Sequence, residues 1–301
     1  MNLATLTTEA RNPRTEHIDE LSTLDMLRLI NDEDAKVAAA VAAVLPQTAQ
    51  AIDAIVERFS KGGRLFYIGA GTSGRLGVLD ASECPPTFSV SPTLFQGMIA
   101  GGDSALRNSS EASEDSPEQG ADDLAAAGFA PQDTLVGVAA SGRTPYVLGA
   151  LAHAKKTGSL TIALTCVPDS AMAAVADISI APITGPEVLT GSTRLKAGTA
   201  TKLVLNMLST GVMIKSGAVY GNLMVNVQPT NAKLVDRAQR IIMAATGIDQ
   251  DTAANLLHQA GSVKTAIVMQ KLSLDLAAAE EKLATSKGRL AAALKPTVYR
   301  G

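Results

Sequence analysis

Short apolar runs, each ending in a turn, recur through the middle of the chain and constrain its fold more than any other feature. Such runs are typical of buried strands, and they cover residues 64–68, 134–138, 160–165 and 178–181. Windows of helical periodicity lie between them, over residues 75–82, 104–113, 145–156 and 194–215. Because strands that alternate with helices form a parallel sheet covered on both faces, we predict an α/β domain.

Helical sequence flanks this region on both sides. Before it, helices are predicted over residues 24–30, 34–44 and 48–59. After it, where strand-like runs stop, they are predicted over residues 233–244, 249–259, 263–270 and 273–283. The predicted division is N-terminal helices packing on the core over residues 1–60, the α/β domain over 61–228 and a small helical bundle over 229–301.

Composition excludes several classes of partner. The chain has 301 residues, with 26 Lys and Arg against 29 Asp and Glu, so it has no broad basic field for nucleic acid or an anionic membrane. The most apolar segment, residues 203–214, is interrupted by Asn206 and Ser209. It is far shorter than the roughly 20 residues that cross a bilayer. We predict that this segment is a buried core helix.

Cysteine and histidine usage indicates a reducing compartment and a site without metal. Cys84 and Cys166 cannot form a disulfide framework, and the histidines lie at no metal-ligand spacing from one another or from a cysteine. The start of the chain, Met1 to Arg11, is polar and acidic, unlike a secretory signal. We therefore expect a cytoplasmic protein with no metal and no other cofactor.

A glycine-rich turn follows the first predicted strand. Residues 69–74 read Gly-Ala-Gly-Thr-Ser-Gly, which fits the G-x-G-x-x-G pattern of dinucleotide-binding folds. That pattern also needs a carboxylate about 20 residues later, at the end of the second strand, but residues 88–92 contain none. Gly71, Thr72 and Ser73 instead offer backbone N–H groups and hydroxyls at a helix start, which favours an anion.

A second hydroxyl-rich turn follows the next strand-like run. It contains Ser141, Gly142, Arg143 and Thr144, with Pro145 at a first helical position. Serine and threonine often cap helices, and for either turn alone that interpretation stays open. Since the carboxyl ends of parallel strands share one edge of the sheet, the two turns together favour a site for a phosphorylated ligand.

These two turns resemble the sugar isomerase (SIS) domain, a doubly wound, flavodoxin-like phosphosugar-binding fold that also occurs in glucokinase regulatory protein-like chains. A narrower resemblance, to the N-acetylmuramic acid 6-phosphate etherase family, extends over nearly the whole chain. Its motifs are Leu-Asp-Ala-Ser-Glu-Cys-Pro-Pro at residues 79–86, Ala-Gly-Gly at 100–102, Glu-Asp-Ser at 114–116 and the segment 185–199, from Gly-Pro-Glu to Lys-Ala-Gly-Thr.

The etherase resemblance implies a reaction that cleaves the ether between C3 of a 6-phosphorylated amino sugar and D-lactate, using water. It implies that Glu114 removes the C2 proton of the open-chain aldehyde and that Glu83 protonates the departing lactate oxygen. On the residues alone, Glu83 also fits a helix end before Pro85, and Glu114 fits a solvated acidic run. The motif departs from the family's usual Gly-Ala before Glu114, which leaves Glu111 as a rival base.

A third turn lies in the segment 185–199. We expect four of its residues to face the ligand: Glu187, Ser192, Thr193 and Lys196. Glu187 would bond a sugar hydroxyl or amide. The alternative, a capped core helix with a surface glutamate, stays open.

The resemblance further implies a homodimer with sites near the subunit interface, a ubiquitin-associated-like C-terminal bundle, and a role in recycling cell-wall amino sugar. Two other functions stay open: a non-catalytic phosphosugar-binding regulator and a phosphosugar isomerase. A pure regulator has no need for both Glu83 and Glu114. An isomerase usually needs a further group for ring opening, and the presumed site turns contain no histidine to supply one.

Overall fold

A parallel sheet forms the centre of the structure. The structure is a computed structural model, and it describes residues 8–108 and 112–295. In that part of the chain the sheet consists of β1 (Leu65–Gly69), β2 (Phe95–Ile99), β3 (Thr134–Val138), β4 (Leu160–Leu164) and β5 (Ile178–Ile180). The strands run parallel in the order β2-β1-β3-β4-β5. This is the order of flavodoxin-like folds, so the predicted doubly wound α/β domain is confirmed.

Helices cover the sheet on both faces. They are α1 (Thr23–Asp34), α2 (Val37–Ala42), α3 (Leu45–Ser60), α4 (Gly71–Phe88), α5 (Pro117–Ala126), α6 (Pro145–Lys156), α7 (Ala171–Val175) and α8 (Lys196–Lys215). Phe66 and Ile68 of β1 pack in one apolar cluster with the buried face of α6. Tyr67 points to the opposite face of the sheet, where it lies under Gly77 of α4. The glycine-rich turn at residues 69–74 therefore follows a strand that is packed on both of its faces.

The edge strand β2 has no counterpart among the predicted strands. Its first and last residues, Phe95 and Ile99, are buried, but the three between them include Gln96 and Gly97 and are only partly buried, because an edge strand needs no continuous apolar run. The helix predicted over residues 104–113 is wrong in its described part. There the chain forms two short 3-10 turns, Asp103–Leu106 and Ala112–Glu114. The strand predictions at β1, β3, β4 and β5 are confirmed to within a residue or two.

A second group of helices follows a short hairpin of β6 (Val219–Tyr220) and β7 (Leu223–Met224). It consists of α9 (Ala232–Thr246), α10 (Gln250–Ala260), α11 (Val263–Leu272), α12 (Leu276–Thr285) and α13 (Leu290–Ala293). Four of these helices begin at a polar side chain that accepts a backbone N–H, namely Asn231, Asp249, Ser262 and Asp275. Their inward faces form one apolar cluster, which confirms the predicted helical bundle.

Contacts divide the described chain into two units. One unit consists of residues up to Glu83 together with Ser91–Gly211; the other consists of Cys84–Val90 and residues from Val212 onward. The first three helices belong to the same unit as the sheet, and one division falls inside α8. The predicted boundaries at residues 60 and 228 therefore remain a proposal.

None of the helices in residues 8–108 and 112–295 is by itself long and apolar enough to cross a membrane. Thr23–Ala42 and Leu45–Ser60 pass that test as a pair by length and composition only, with a 55° bend between them.

Candidate active site

The first hydroxyl turn connects β1 to α4. Gly71, the first residue of α4, has a φ of +51°, in the left-handed region that favours glycine. Thr72 and Ser73 follow in the first helical turn and are partly exposed. Neither side chain forms a hydrogen bond with any part of the chain that the structure describes. Their hydroxyls are therefore available to a ligand at the amino end of α4.

The second hydroxyl turn connects β3 to α6. Gly142 has a φ of +66°, and a Cβ at this position would overlap the side chain of Ser170. Thr144 occupies the N-cap position of α6 but forms no side-chain capping bond. Ser141 likewise forms no side-chain hydrogen bond within the described residues. The capping interpretation is therefore wrong for Thr144.

The two turns leave the sheet side by side. Gly69, the last residue of β1, pairs in register with Val138, the last residue of β3. Since β1 lies between β2 and β3, this is the point at which the strand order reverses and ligands of doubly wound folds bind. Arg143 is partly exposed and forms no ion pair with another described residue. A cation and several free hydroxyls thus meet at the amino ends of two helices.

Glu114 lies at the first hydroxyl turn. A Cβ placed on Gly71 would lie 3.3 Å from Glu114 Oε1. Glu114 is 43 residues beyond Gly71 in the chain, and the 3-10 turn Ala112–Glu114 brings its partly exposed side chain back to the turn. The predicted rival base, Glu111, lies outside the described residues.

Glu83 lies on α4, the helix that the first hydroxyl turn begins. The side chain of Glu83 is exposed in the single chain. The interpretation of Glu83 as a helix end is wrong, because α4 continues through Pro85 and Pro86 to Phe88. Cys84, the next residue, is buried, as is Cys166, and the two form no disulfide within the described residues.

The third predicted turn reaches the first one. Ser192 and Thr193 lie in turns that precede α8, with partly exposed side chains. A Cβ on Gly198, in the first turns of α8, would lie 3.7 Å from Cγ2 of Thr72 and 3.5 Å from the carbonyl oxygen of Thr193. Thr72 and the segment before α8 are therefore neighbours.

Glu187 is engaged in holding this segment. Its side chain is buried, and its two carboxylate oxygens accept the backbone N–H groups of Lys196 and Ala197, each at 2.9 Å. The carboxylate thus closes the amino end of α8, where its charge complements the helix dipole. The glutamate is a buried cap rather than a surface residue, and its assignment to ligand binding stays a prediction.

Lys196 is also buried, and its Nζ donates to Glu33 Oε2 at 2.7 Å. Arg14 and Lys36 approach the other oxygen of the same carboxylate. Burial raises the pKa of Glu33, but the hydrogen bonds from Lys196 and Lys36 and the charge of Lys196 outweigh it and lower that pKa to about 2. Lys196 therefore ties α8 to α1, and its assignment to ligand binding also stays a prediction.

Sequence reasoning missed a cavity beside Glu114. The cavity has a volume of about 590 Å³ and lies along the edge strand β2, between the residues that follow it and α5. Its lining includes Gly102, Asp103, Ser113, Ser116 and the pair Asp123–Tyr146, whose hydroxyl-carboxylate hydrogen bond is 2.7 Å long. Because β2 was not predicted, the strand pattern did not place residues 101–103 near residues 113–116; only the etherase resemblance connected the motifs at 100–102 and 114–116.

The structure also corrects the argument about a nucleotide. Residues 88–92 precede β2, whereas Asp103 follows its end, so a carboxylate does come after the second strand. The class of ligand must therefore be decided by other observations. In the described ranges, no three His, Cys, Asp or Glu side chains are grouped so that they could hold a metal ion.

Comparisons with known proteins identify the family. Residues 47–155 match the glucokinase regulatory protein N-terminal SIS domain, and residues 114–211 match the SIS domain. The N-acetylmuramic acid 6-phosphate etherase of Salmonella agona is 55% identical over 98% of this chain and 100% of its own length. The etherase of Clostridium beijerinckii is 56% identical over 98% of this chain and 97% of its own length.

Among solved structures, a phosphoheptose isomerase from Francisella tularensis is 22% identical, with a TM-score of 0.49, and the match covers 64% of this chain and 98% of that one. The identity of 55–56% with the two etherases, over nearly the whole chain, assigns the family. The hydroxyls and the carboxylate at one edge of the sheet agree with this assignment. The chain belongs to the N-acetylmuramic acid 6-phosphate etherase family.

Proposed function

We propose that this chain cleaves the D-lactyl ether of N-acetylmuramic acid 6-phosphate with water, giving N-acetylglucosamine 6-phosphate and D-lactate. The observation that carries the proposal is the position of Glu114 Oε1 against Gly71, in the first of two neighbouring hydroxyl turns. A sugar held there by its phosphate would have its carbons within reach of this carboxylate. The names of the full-length relatives support the choice of substrate.

The phosphate is held by the two hydroxyl turns. Thr72, Ser73, Ser141 and Thr144 donate their hydroxyls to its oxygens, and the first N–H groups of α4 and α6 donate beside them. Arg143 supplies a positive charge. None of these four hydroxyls is used in another side-chain hydrogen bond of the described chain, so binding displaces none of the hydrogen bonds seen there.

The first chemical step is an elimination. In the open-chain sugar the C2 proton is acidic because it is next to the aldehyde, and Glu114 removes it. The electron pair first moves onto the aldehyde and gives an enolate, so that the proton transfer is reversible; it then forms the C2–C3 double bond as the C3–O bond breaks. Glu83 gives its proton to the departing oxygen, which becomes the hydroxyl group of the released lactate.

The second step is the addition of water to the same double bond. Glu83, now ionised, takes a proton from a water molecule as the oxygen of that water bonds to C3. Glu114 returns its proton to C2. Both carboxyl groups end in their starting protonation states, and the sum of the two steps is hydrolysis of one ether.

Ser192 and Thr193 are proposed to contact the sugar from the third turn. Glu187 and Lys196 are proposed to act mainly by fixing that turn, since both are buried and already bonded to protein groups. Any direct contact with the ligand would need one of these bonds to open.

The proposal includes a cytoplasmic homodimer that completes the site at its interface. Two apolar residues of α1, Leu24 and Leu27, are 56% and 53% exposed in the single chain, which supports a second copy as their cover. Glu83 is exposed as well, so a partner could enclose it. Both cysteines are buried and form no disulfide within the described residues, which supports a reducing compartment. Sedimentation should give twice the mass of the chain; a monomer at the concentration of full activity would contradict the dimer.

Incubation with N-acetylmuramic acid 6-phosphate, followed by an assay for D-lactate, tests the function. We expect lactate from the wild type and a large loss of turnover, with retained binding, in Glu83→Gln and in Glu114→Gln. Tight binding without lactate from the wild type would favour the regulator. Interconversion of aldose and ketose phosphates without lactate would favour the isomerase.

A further inference from the structure

Asp80 is a buried carboxyl group one helical turn before Glu83. It is 6% exposed, although Leu79, the residue before it on α4, is 51% exposed. Asn206 Nδ2 donates to Asp80 Oδ1 at 2.7 Å, and the Ser209 hydroxyl donates to the same oxygen at 3.1 Å. These are the two polar residues that interrupt the most apolar segment of the chain, now the middle of α8. Their polarity is explained by this one carboxyl group.

Tyr67, on the sheet, lies near the Asp80 carboxyl group. It is fully buried on β1, and its hydroxyl is close enough to the Asp80 side chain to influence the pKa of that group. Burial raises the pKa of Asp80, and the hydrogen bonds from Asn206 and Ser209, together with the nearby hydroxyl of Tyr67, only partly oppose that effect. A carboxyl group in this environment is costlier than an apolar side chain of similar size. We therefore infer that Asp80 contributes to position rather than to stability, since side chains from α4, α8 and β1 come together at this carboxyl group.

The part of α4 that carries Glu83 needs such an anchor. Pro85 and Pro86 lie inside the helix and have no N–H, so the carbonyl groups of Ala81 and Ser82 receive no helical hydrogen bond from them. The backbone on both sides of Glu83 is therefore held less firmly than in a regular helix. Asp80 is the buried polar contact that immediately precedes this weakened stretch.

We propose that Asp80 is a positioning residue for Glu83, acting through the hydrogen bonds that fix α4 to α8. The proposal rests on the proposed function, in which Glu114 exchanges the C2 proton and Glu83 releases lactate. Loss of the anchor should displace Glu83 and leave Glu114 in place, because Glu114 reaches the site from a different segment. Lactate release should then slow while C2 exchange persists.

The experiment measures both rates on N-acetylmuramic acid 6-phosphate in deuterated water: deuterium entry at C2 of the substrate and release of D-lactate. In Asp80→Ala, lactate release should fall about ten- to a hundredfold, the effect of an ångström-scale misplacement, with C2 exchange within about threefold of the wild type. Asp80→Asn, which keeps the shape and one acceptor, should recover part of the lost release. Asn206→Ala and Ser209→Ala, which remove one donor each, keep the test valid if Asp80→Ala does not fold.

Asp133→Asn is the matched control. Asp133 is also fully buried and bonded, but it lies at the amino ends of the strands, where it accepts hydrogen bonds from Arg64 and Ala130. It should lose stability with an unchanged ratio of release to exchange. An unchanged ratio in the Asp80, Asn206 and Ser209 variants, with both rates falling together or not at all, would overturn the positioning role. A wild type that releases no lactate would overturn the proposed function, and this proposal with it.

Discussion

The carboxylate of Glu114 lies against Gly71: a Cβ on Gly71 would be 3.3 Å from Glu114 Oε1. This relationship joins the turn that receives an anion to the group proposed to move a proton. Position 71 requires glycine for two reasons. Its φ of +51° lies in the left-handed region, and Glu114 Oε1 occupies the space next to its Cα. The base and the phosphate turn are therefore fixed relative to each other.

Gly71→Ala should damage both the fold and the proton transfer. The left-handed backbone should reduce the free energy of unfolding by about 1–2 kcal/mol, and the added methyl group should push Glu114 away from its position. We expect C2 deuterium exchange to fall by about tenfold or more, because proton transfer needs close contact.

Gly62→Ala separates these two effects. Gly62 has a φ of +82° with nothing within 4 Å of an added Cβ, so it has the backbone strain without the contact with Glu114. It should lose similar stability and keep its exchange rate. Equal exchange rates in the two variants would show that Glu114 does not depend on Gly71.

Thr144→Val should weaken substrate binding and leave stability unchanged. The hydroxyl of Thr144 caps no helix in the structure, so its loss removes only a bond to the phosphate. We expect KM to rise about ten- to a hundredfold, since a hydrogen bond to a charged group is worth about 1.5–3 kcal/mol.

Ser262→Ala is the contrasting variant, because Ser262 caps α11 by accepting the backbone N–H of Thr265 at 3.1 Å. It should lose about 1 kcal/mol of stability at constant KM; a melting temperature lowered as much in Thr144→Val would contradict this assignment.

Glu187→Ala decides between a cap and a ligand contact. The substitution leaves the buried N–H groups of Lys196 and Ala197 without their acceptor, which should cost about 2 kcal/mol or more of the free energy of unfolding. Urea denaturation measures this loss. A variant of wild-type stability with a raised KM would instead make Glu187 a direct substrate contact.

Glu33→Gln should change the acid limb of the stability curve. The pKa of Glu33 is about 2 in the folded chain against an ordinary value of 4.5, so the unfolded chain binds the proton more readily. Its contribution to stability is therefore complete above pH 4.5 and is lost as the pH falls toward 2. The variant should be less stable at pH 7 and should lose less stability between these two pH values.

Urea titrations at several pH values test this expectation, with Glu57→Gln as the control. Glu57 pairs with Lys61 at the surface, where screening leaves little effect on stability. If stability fell equally steeply with decreasing pH in the wild type and in Glu33→Gln, the Glu33 carboxylate would not determine the sensitivity of the fold to acid.

Much of the fold followed from local patterns because buried parallel strands must be apolar along their whole length. That reasoning located β1 and β3, and through them both hydroxyl turns. It failed at β2, where Gln96 and Gly97 reflect an edge strand. It also failed at Pro85 and Pro86, which a helix tolerates in α4 although prolines usually end one.

The candidate site was predictable where a residue type alone carries the chemistry. Thr72 and Ser141 could be selected because hydroxyls beside glycines at strand ends fit an anion. Glu187 and Lys196 were selected by their segment, but only the tertiary structure reveals that Glu187 caps α8 and that Lys196 pairs with Glu33. A sequence pattern gives proximity along the chain, whereas burial and hydrogen-bond partners depend on elements more than a hundred residues apart.

The most direct test of the central claim, that C2 deprotonation and C3–O cleavage occur in one site, follows two labels in one reaction. N-acetylmuramic acid 6-phosphate is turned over in water enriched in deuterium and oxygen-18, and the sugar and lactate are analysed by mass spectrometry. The account predicts deuterium at C2 and oxygen-18 at C3 of the sugar, with unlabelled lactate. Oxygen-18 in the lactate, or a product sugar without deuterium at C2, would contradict it.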